Sequence, residues 1–409
     1  MSYPRTERQR RFVQLADDLA GPIAARADTI DRENRFPDEN FRDLHAAGYL
    51  TLTIPEWFGG HGANVLEYAL AQERIARACG STGLASSMHL SLLGRIAEIG
   101  AWPDEVYGSI CAEVLATGAL INAVNSEPDL GSPSRGALPS TTAERTPFGW
   151  RINGRKRWAS LAPALTYIYS LAAVIDGDTP PHRANFLIPA SAPGVRVEET
   201  WDNLGMRGTA SHDIVFENVD IPFAARLPAD SGGNPNEISV WHLGPSAAVY
   251  LGIAQSARDG AVEFARNRKP NGMATSIAEL QTIQHKIAEM ELLLLQARTL
   301  LYTTIEQWLE EPERRGELGW QLVAAKYTVT TTALRVTDLA LRVAGSAGLF
   351  NGSPLQRAFR DARTALGHPP MEDAVLTLIG KTALGLIPPP PATATAPTAN
   401  GAAREAIPA

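Results

Sequence analysis

Cysteine is scarce in this sequence, since Cys79 and Cys111 are the only two among 409 residues. Two thiols cannot build a disulfide framework or a thiolate metal site within one chain. The opening segment, MSYPRTERQRRF, is polar and lacks the apolar stretch of a secretory signal. We therefore expect a cytoplasmic protein without a bound metal.

Excess positive charge is also absent, because the formal net charge is -7 and the Lys and Arg residues are scattered along the chain. Proteins that bind nucleic acids present a clustered basic surface, which this pattern does not provide. Long apolar runs are missing as well, and none approaches the ~20 residues that a membrane helix requires. We expect neither a nucleic-acid partner nor a membrane.

The usual glycine-rich nucleotide motifs are missing too. No Gly-x-Gly-x-x-Gly sequence follows a predicted strand. The Gly-Lys-Thr sequence at 380–382 lacks the upstream glycine of a phosphate-binding loop. The chain therefore shows no recognisable nicotinamide site.

The sequence contains three successive regions that differ in the spacing of their apolar residues. The first has apolar residues at helical spacing, as at Phe12, Leu19 and Ile23, and the second has short β-rich runs separated by turns. Helical spacing then returns before a Pro- and Ala-rich tail that we predict to be disordered. The predicted units are residues 6–120 (helical), 121–230 (β), 237–385 (helical) and 386–409 (tail).

Three segments of the β-rich unit carry polar chemistry. Residues 125–132 read Asn-Ser-Glu-Pro-Asp-Leu-Gly-Ser, and residues 152–160 read Ile-Asn-Gly-Arg-Lys-Arg-Trp-Ala-Ser. Small hydroxyl groups and backbone N–H groups there can donate to the polar edge of a flavin ring or to a pyrophosphate. A plain Glu-Pro turn explains the first segment equally well. Residues 204–216 form a Gly-rich turn that leads into a strand.

These segments resemble those of the acyl-CoA dehydrogenase superfamily, in which T-E-P-x-x-G-S-D, I-N-G-x-K-x-W and G-M-R-G motifs follow in the same order. The resemblance covers roughly residues 8–384. It implies a mostly helical α+β fold with an N-terminal helical domain, a middle β-barrel-like domain and a C-terminal four-helix bundle. It also implies a homodimer or homotetramer, in which a second subunit helps to hold the adenine end of the flavin.

The resemblance implies FAD as the cofactor, with FMN left open. In the family pattern, Trp158 packs beside the flavin ring and Ser160 lies near its N5 atom. Arg268 would pair with the pyrophosphate through its fixed guanidinium. Arg266 competes with it, because the spacing to Gln281 is longer than usual. The implied cofactor contacts are Ser126, Gly131, Ser132, Trp158, Ser160, Arg268, Gln281, Arg342, Gly345 and Ser346.

The chain departs from the family at the catalytic base. Counted from the Arg-Asp-Ala sequence at 360–362, the usual glutamate falls on Pro369, which has no group that can take a proton. His368 precedes it, and His89 lies on a helix expected to wall the substrate cavity. With Ser160, these histidines resemble the constellation of superfamily monooxygenases that lack the glutamate, such as dibenzothiophene monooxygenase and amino-sugar N-oxygenases. His368, His89 and Ser160 are therefore the predicted catalytic residues, and a core-packing role for His89 stays equally open.

The leading hypothesis is a two-component monooxygenase. It would use O2 and reduced flavin from a separate reductase to oxygenate a small or carrier-bound substrate. The alternative is an acyl-thioester dehydrogenase whose base is relocated at or near His242. Glu372 and Asp373 fit better as caps of the next helix, and Glu127 as part of the Glu-Pro turn. A catalytically silent flavoprotein subunit is the third hypothesis.

Overall fold

The computed structural model describes residues 3–128, 138–228 and 239–386. Helices come first, an eight-stranded sheet follows, and long helices complete the described chain. The predicted class, a mostly helical α+β fold with helical, β and helical parts in that order, is confirmed. Within the three described ranges, no helix is both long and apolar enough to cross a lipid bilayer.

The N-terminal part is a layer of helices around a buried apolar seam. Capping boxes begin two of them, formed by Thr6 with Gln9 and by Asn64 with Glu67. Each box satisfies backbone N–H groups that the first helical turn would otherwise leave unpaired. The helices are α1 (Glu7–Glu33), α2 (Asp38–Ala46), α3 (Val65–Ala78), α4 (Gly80–Ile99) and α5 (Asp104–Thr117).

The middle part is a single sheet. Its strands are β1 (Ile121–Ala123), β2 (Thr142–Thr146), β3 (Gly149–Ala159), β4 (Tyr167–Asp176), β5 (Thr179–Pro189), β6 (Val195–Glu198), β7 (His212–Pro222) and β8 (Arg226–Leu227). Hydrogen bonding orders them β6-β7-β3-β2-β4-β5-β8, with β1 paired to β4. The β3–β7 pair shifts register between Lys156 and Ala159. Because such a bulge re-aims side chains, Trp158 (φ 57°) is 55% exposed, whereas Ser160 is buried.

The C-terminal part is built from three long helices and two shorter ones. Buried small residues on the first long helix allow close packing, and a Cβ at Gly252 would lie 2.3 Å from the carbonyl oxygen of Glu73. Ser353 caps the fourth helix, and Pro354 occupies its first position, where no N–H is needed. The helices are α6 (Val240–Asn267), α7 (Gln281–Glu310), α8 (Arg315–Ala344), α9 (Pro354–Arg363) and α10 (Glu372–Ala383).

Asp361 on α9 joins the C-terminal helices to the sheet. Its buried carboxylate accepts a 2.6 Å hydrogen bond from the backbone N–H of Met206. Its neighbour Arg360 forms an ion pair with Asp31 of α1. Gly205 allows this approach, because a Cβ there would lie 2.3 Å from the carbonyl oxygen of Arg360. The glycine-rich turn is therefore docked directly on α9.

Replacing Asp361 with asparagine should remove a pH dependence of stability. Burial raises the pKa of this carboxyl to about 6, which favours its protonated form in the folded state. The stabilisation of the folded state by the protonated carboxyl is thus fully present below the unfolded pKa, about 4. It is lost as the pH rises through about 6. Asparagine keeps an oxygen for the Met206 N–H and carries no charge.

We expect the free energy of unfolding of Asp361→Asn, relative to the wild type, to rise between pH 4.5 and 7.5 by up to roughly 3 kcal/mol. Urea unfolding at the two pH values measures it. The exposed Asp202→Asn variant is the matched control and should show little change with pH. An equal pH dependence in Asp361→Asn and the wild type would contradict the assignment.

Candidate active site

Three hydroxyl groups form a row where β3 and β7 leave the sheet. Ala159 is paired with His212, so the residues just beyond this pair, Ser160 and Ser211, are neighbours. Their Oγ atoms are 2.8 Å apart, and the Ser211 Oγ lies 2.7 Å from the Oγ1 of Thr209. Ser160, Ser211 and Thr209 are all buried, and we refer to them as the hydroxyl ladder.

The backbone around the hydroxyl ladder is held on both sides. The side-chain amide of Asn122 donates to the carbonyl oxygen of Ser160 at 3.0 Å. The backbone N–H of Leu161 donates to the carbonyl oxygen of Thr209, also at 3.0 Å. These bonds hold the ends of β3 and β7 against each other, so the positions of the ladder hydroxyl groups are fixed by the sheet.

Glu127 forms a buried ion pair with Lys156 of β3. Their side chains are fully buried, with 2.6 Å between Oε1 and Nζ. Glu127 also accepts from the backbone N–H groups of Ser140 and Thr141, and Lys156 donates to the carbonyl oxygen of Leu171. Burial would raise the pKa of Glu127, but the Lys156 ammonium and the donors outweigh it and hold the pKa below its usual range. The ion pair agrees with a structural role for Glu127, which stays a prediction.

A second polar group lies among the C-terminal helices. The ring nitrogen Nδ1 of His368 is 3.3 Å from the hydroxyl of Tyr250, and the ring of His242 meets His368 edge-on with centroids 5.4 Å apart. The ammonium of Lys326 on α8 donates to the carbonyl oxygens of His368 and Pro370, at 2.8 and 2.9 Å. We refer to His242, Tyr250, Lys326 and His368 as the histidine cluster. Lys326 thus ties the loop that contains Pro369 to α8.

The electrostatics of the histidine cluster favour neutral imidazoles. Burial, followed by the nearby His242 and Lys326, holds the pKa of His368 well below its usual range. Burial and Lys326 likewise lower the pKa of His242, and burial lowers the pKa of Lys326 to about 8. At neutral pH, His368 is therefore an uncharged ring that can donate or accept a hydrogen bond.

His89 is placed differently from His368. Its Nε2 lies 3.0 Å from the carbonyl oxygen of Leu50, and its Nδ1 accepts from the backbone N–H of Ile121 at 3.2 Å. Burial lowers its pKa to about 4. Because both ring nitrogens have backbone partners, this geometry favours the core-packing role, in which His89 holds β1 against the N-terminal helices. A catalytic role for His89 stays a prediction.

Hydrogen bonds connect the hydroxyl ladder to the histidine cluster. Thr209 donates to the carbonyl oxygen of Met206, whose N–H donates to Asp361. The carbonyl oxygen of Asp361 accepts from the hydroxyl of Thr364, which lies 3.4 Å from that of Tyr250. The structure therefore joins Ser160 and His368, which are far apart in sequence, through one series of contacts.

The predicted contacts to the flavin ring lie at the same end of β3 as the hydroxyl ladder. The indole of Trp158 is more than half exposed, two residues from the buried Ser160. The carbonyl oxygen of Ser126 accepts from the backbone N–H of Arg157 at 2.8 Å, which binds the 125–128 turn to β3. Gly131 and Ser132 lie outside the described residues.

The predicted contacts to the rest of the cofactor are on the exposed surface at helix ends. Arg268 follows α6 and Gln281 begins α7, while Arg342, near the end of α8, forms a 2.7 Å ion pair with Asp338. Gly345 (φ 59°) and Ser346 follow directly. Arg266 and Arg268 are both exposed, so burial does not separate the two candidates.

Sequence reasoning missed Tyr250 and Lys326 altogether and placed His242 only in the alternative hypothesis. Lys326 carried one signal, since it is a lone lysine among apolar residues on a helix, where an ammonium needs specific partners. Tyr250 carried none, because it lies in a continuous apolar stretch of α6. Thr209 and Ser211 lie in the Gly-rich segment 204–216, and the sequence indicated no role for their hydroxyl groups.

Comparison with known proteins identifies the family. Residues 6–101, 123–219 and 245–372 match the acyl-CoA dehydrogenase N-terminal, middle and C-terminal domains. The chain is 39% identical over 375 residues to YdbM of Bacillus subtilis (strain 168), whose name as an acyl-CoA dehydrogenase is provisional; the match covers 91% of this chain and 96% of YdbM. It is 32% identical over 372 residues to the human mitochondrial short-chain specific acyl-CoA dehydrogenase, covering 87% and 85%.

A solved structure is also similar. The nitrososynthase from Micromonospora carbonacea var. africana matches with a TM-score of 0.79 and 26% identity, covering 93% of this chain and 98% of that one. The chain therefore belongs to the acyl-CoA dehydrogenase family. It is a flavin-dependent protein of this fold.

The described residues fit a flavin on physical grounds. The exposed indole of Trp158 offers an aromatic face, and the adjacent Ser160 hydroxyl offers a polar group for the ring edge. Exposed arginines at 266 and 268 offer positive charge for phosphates. The chemistry of these residues is therefore consistent with the flavin-dependent family to which the chain belongs.

Proposed function

We propose that this chain is a flavin-dependent monooxygenase that oxygenates a small or carrier-bound substrate. The observation that carries the proposal is the histidine cluster beside Pro369. Where the family pattern has a carboxylate, this chain has a proline, and the adjacent His368 is a half-buried neutral imidazole held by Tyr250. The similar nitrososynthase, named for making a nitroso group, supports oxygenation.

The residues of the cluster have separate tasks in this proposal. His368 donates or accepts hydrogen bonds at the reacting centre and moves a proton there, which a neutral imidazole can do near pH 7. The hydroxyl of Tyr250 orients its ring through Nδ1. Lys326 holds the loop by donating to two of its carbonyl oxygens.

The cofactor and partners follow from the same proposal. Bound reduced flavin would supply the two electrons that leave one atom of O2 on the substrate and the other in water. We propose FAD, with FMN as the alternative, held by Trp158, Ser160 and the arginines at 266 or 268. A separate reductase would provide the reduced flavin, and a second copy of the chain would complete the exposed adenine end, in a dimer or tetramer.

A dehydrogenase of acyl thioesters is the second candidate, favoured by one observation. His242 is in ring contact with His368 and has a pKa lowered by burial, so it is a neutral base within the same cluster. The relatives of this chain that are named as acyl-CoA dehydrogenases are consistent with this second candidate.

Acyl-CoA thioesters should leave the bound oxidised flavin unreduced under anaerobic conditions, because neither imidazole matches the carboxylate of the usual base. The flavin absorbance after addition of short- and medium-chain acyl-CoA measures this. Rapid bleaching that Glu372→Gln leaves intact and His242→Ala abolishes would replace the monooxygenase with a dehydrogenase.

A further inference from the structure

The hydrogen bonds of the hydroxyl ladder have a fixed direction. A carbonyl oxygen can only accept, so the hydroxyl of Thr209 must donate its hydrogen to Met206, at 2.9 Å. Each hydroxyl has one hydrogen to donate. Ser211, 2.7 Å from Thr209, must therefore donate to Thr209. By the same rule, Ser160, 2.8 Å from Ser211, must donate to Ser211.

This direction leaves the Ser160 oxygen with only lone pairs for another partner. The three hydroxyl groups are buried, with Thr209 0%, Ser211 4% and Ser160 8% exposed, so water competes little for them. The carbonyl oxygen of Met206 is fixed as well, because it also accepts from the indole N–H of Trp201 and from the backbone N–H of Thr209, both at 3.1 Å. Ser160 is thus set as a hydrogen-bond acceptor by residues on the neighbouring strand end.

We propose that Ser211 and Thr209 are positioning residues that present the Ser160 hydroxyl to the flavin as an acceptor, so that the site binds reduced flavin in preference to oxidised flavin. The inference rests on the proposed function and on the family resemblance, which implies that Ser160 lies near N5 of the ring. Reduced flavin carries a hydrogen on N5 and can donate it to Ser160. Oxidised flavin has an unprotonated N5, which would face the Ser160 lone pairs.

Ser211→Ala tests this inference most directly. It removes the acceptor for the Ser160 hydrogen, so Ser160 can turn that hydrogen toward an oxidised flavin. The ratio of dissociation constants for oxidised and reduced flavin should shift about tenfold toward the oxidised form, the effect of one hydrogen bond. For a two-electron couple that ratio lowers the midpoint potential of bound flavin by about 30 mV.

The measurement is anaerobic titration of the purified full chain with oxidised and with dithionite-reduced FAD, and separately with FMN. Ser211→Thr keeps the hydroxyl and should retain the wild-type ratio. Ser170→Ala is the matched control, because Ser170 is a buried serine of the same sheet that donates to the carbonyl oxygen of Val124. It should leave the ratio unchanged.

An unchanged ratio in Ser211→Ala would overturn the proposed ladder. If that variant does not fold, Thr209→Val tests the same point, because it removes the acceptor of the Ser211 hydrogen and should shift the ratio in the same direction. The titrations use neither oxygen nor substrate. If the variants bind flavin with the wild-type ratio, only the ladder is rejected. If the wild-type chain binds neither oxidised nor reduced flavin, the proposed function is rejected.

Discussion

Replacing His368 with alanine should raise the rate of hydrogen peroxide release from the reduced protein in oxygen by roughly 10²-fold, the scale of one positioned acid–base group. The variant loses the neutral imidazole that Tyr250 orients, and it leaves the half-buried position of the ring open to water. Flavin affinity should change little, because the proposed flavin contacts lie on the sheet edge and at other helix ends. A peroxidase-coupled dye assay after rapid mixing measures the release.

Two further variants sharpen this experiment. His368→Gln keeps a hydrogen-bonding group without a titratable ring and should fall between the wild type and alanine. His182→Ala replaces a half-buried histidine of β5 that lies outside the site, and it should behave as the wild type. Peroxide release in His368→Ala at the wild-type rate would remove His368 from the mechanism.

Replacing Lys156 with methionine should destabilise the fold by about 3–5 kcal/mol at neutral pH, because it leaves the Glu127 carboxylate buried without its cation. The two side chains are fully buried and 2.6 Å apart. Flavin retention should fall too, since this pair anchors the turn that contains Ser126. Chemical unfolding monitored by tryptophan fluorescence gives the free energy, and gel filtration gives the bound flavin.

The control is a surface pair on the same strand. Arg151 of β3 pairs with Asp220 of β7, and both are exposed, so Arg151→Met should change stability little. The double variant Glu127→Gln with Lys156→Met should recover part of the loss, because it removes both buried charges. Equal stability of Lys156→Met and the wild type would mean that the ion pair does not hold the turn.

The fold was predictable from local sequence. Hydrophobic spacing marks the helices, and the turn at 204–211 has a glycine where the backbone of α9 leaves no room for a Cβ. These features depend on residues that are close together in the chain.

The histidine cluster could not be predicted in this way. His368 meets Tyr250 across 118 positions and Lys326 across 42, so only tertiary packing brings them together. His89 shows the same limit, because its ring nitrogens are used by backbone groups 39 and 32 positions away. No local pattern distinguishes such a histidine from a catalytic one. The direction of the hydroxyl ladder likewise requires the distances between atoms.

The most direct test of oxygenation is anaerobic stopped-flow. The flavin-loaded protein is reduced chemically and mixed with oxygenated buffer while its absorbance spectrum is recorded. We expect a transient spectrum, distinct from those of oxidised and reduced flavin, that outlasts the reoxidation of free reduced flavin and that His368→Ala shortens. Reoxidation in a single phase at the rate of free flavin, with no transient, would contradict a monooxygenase.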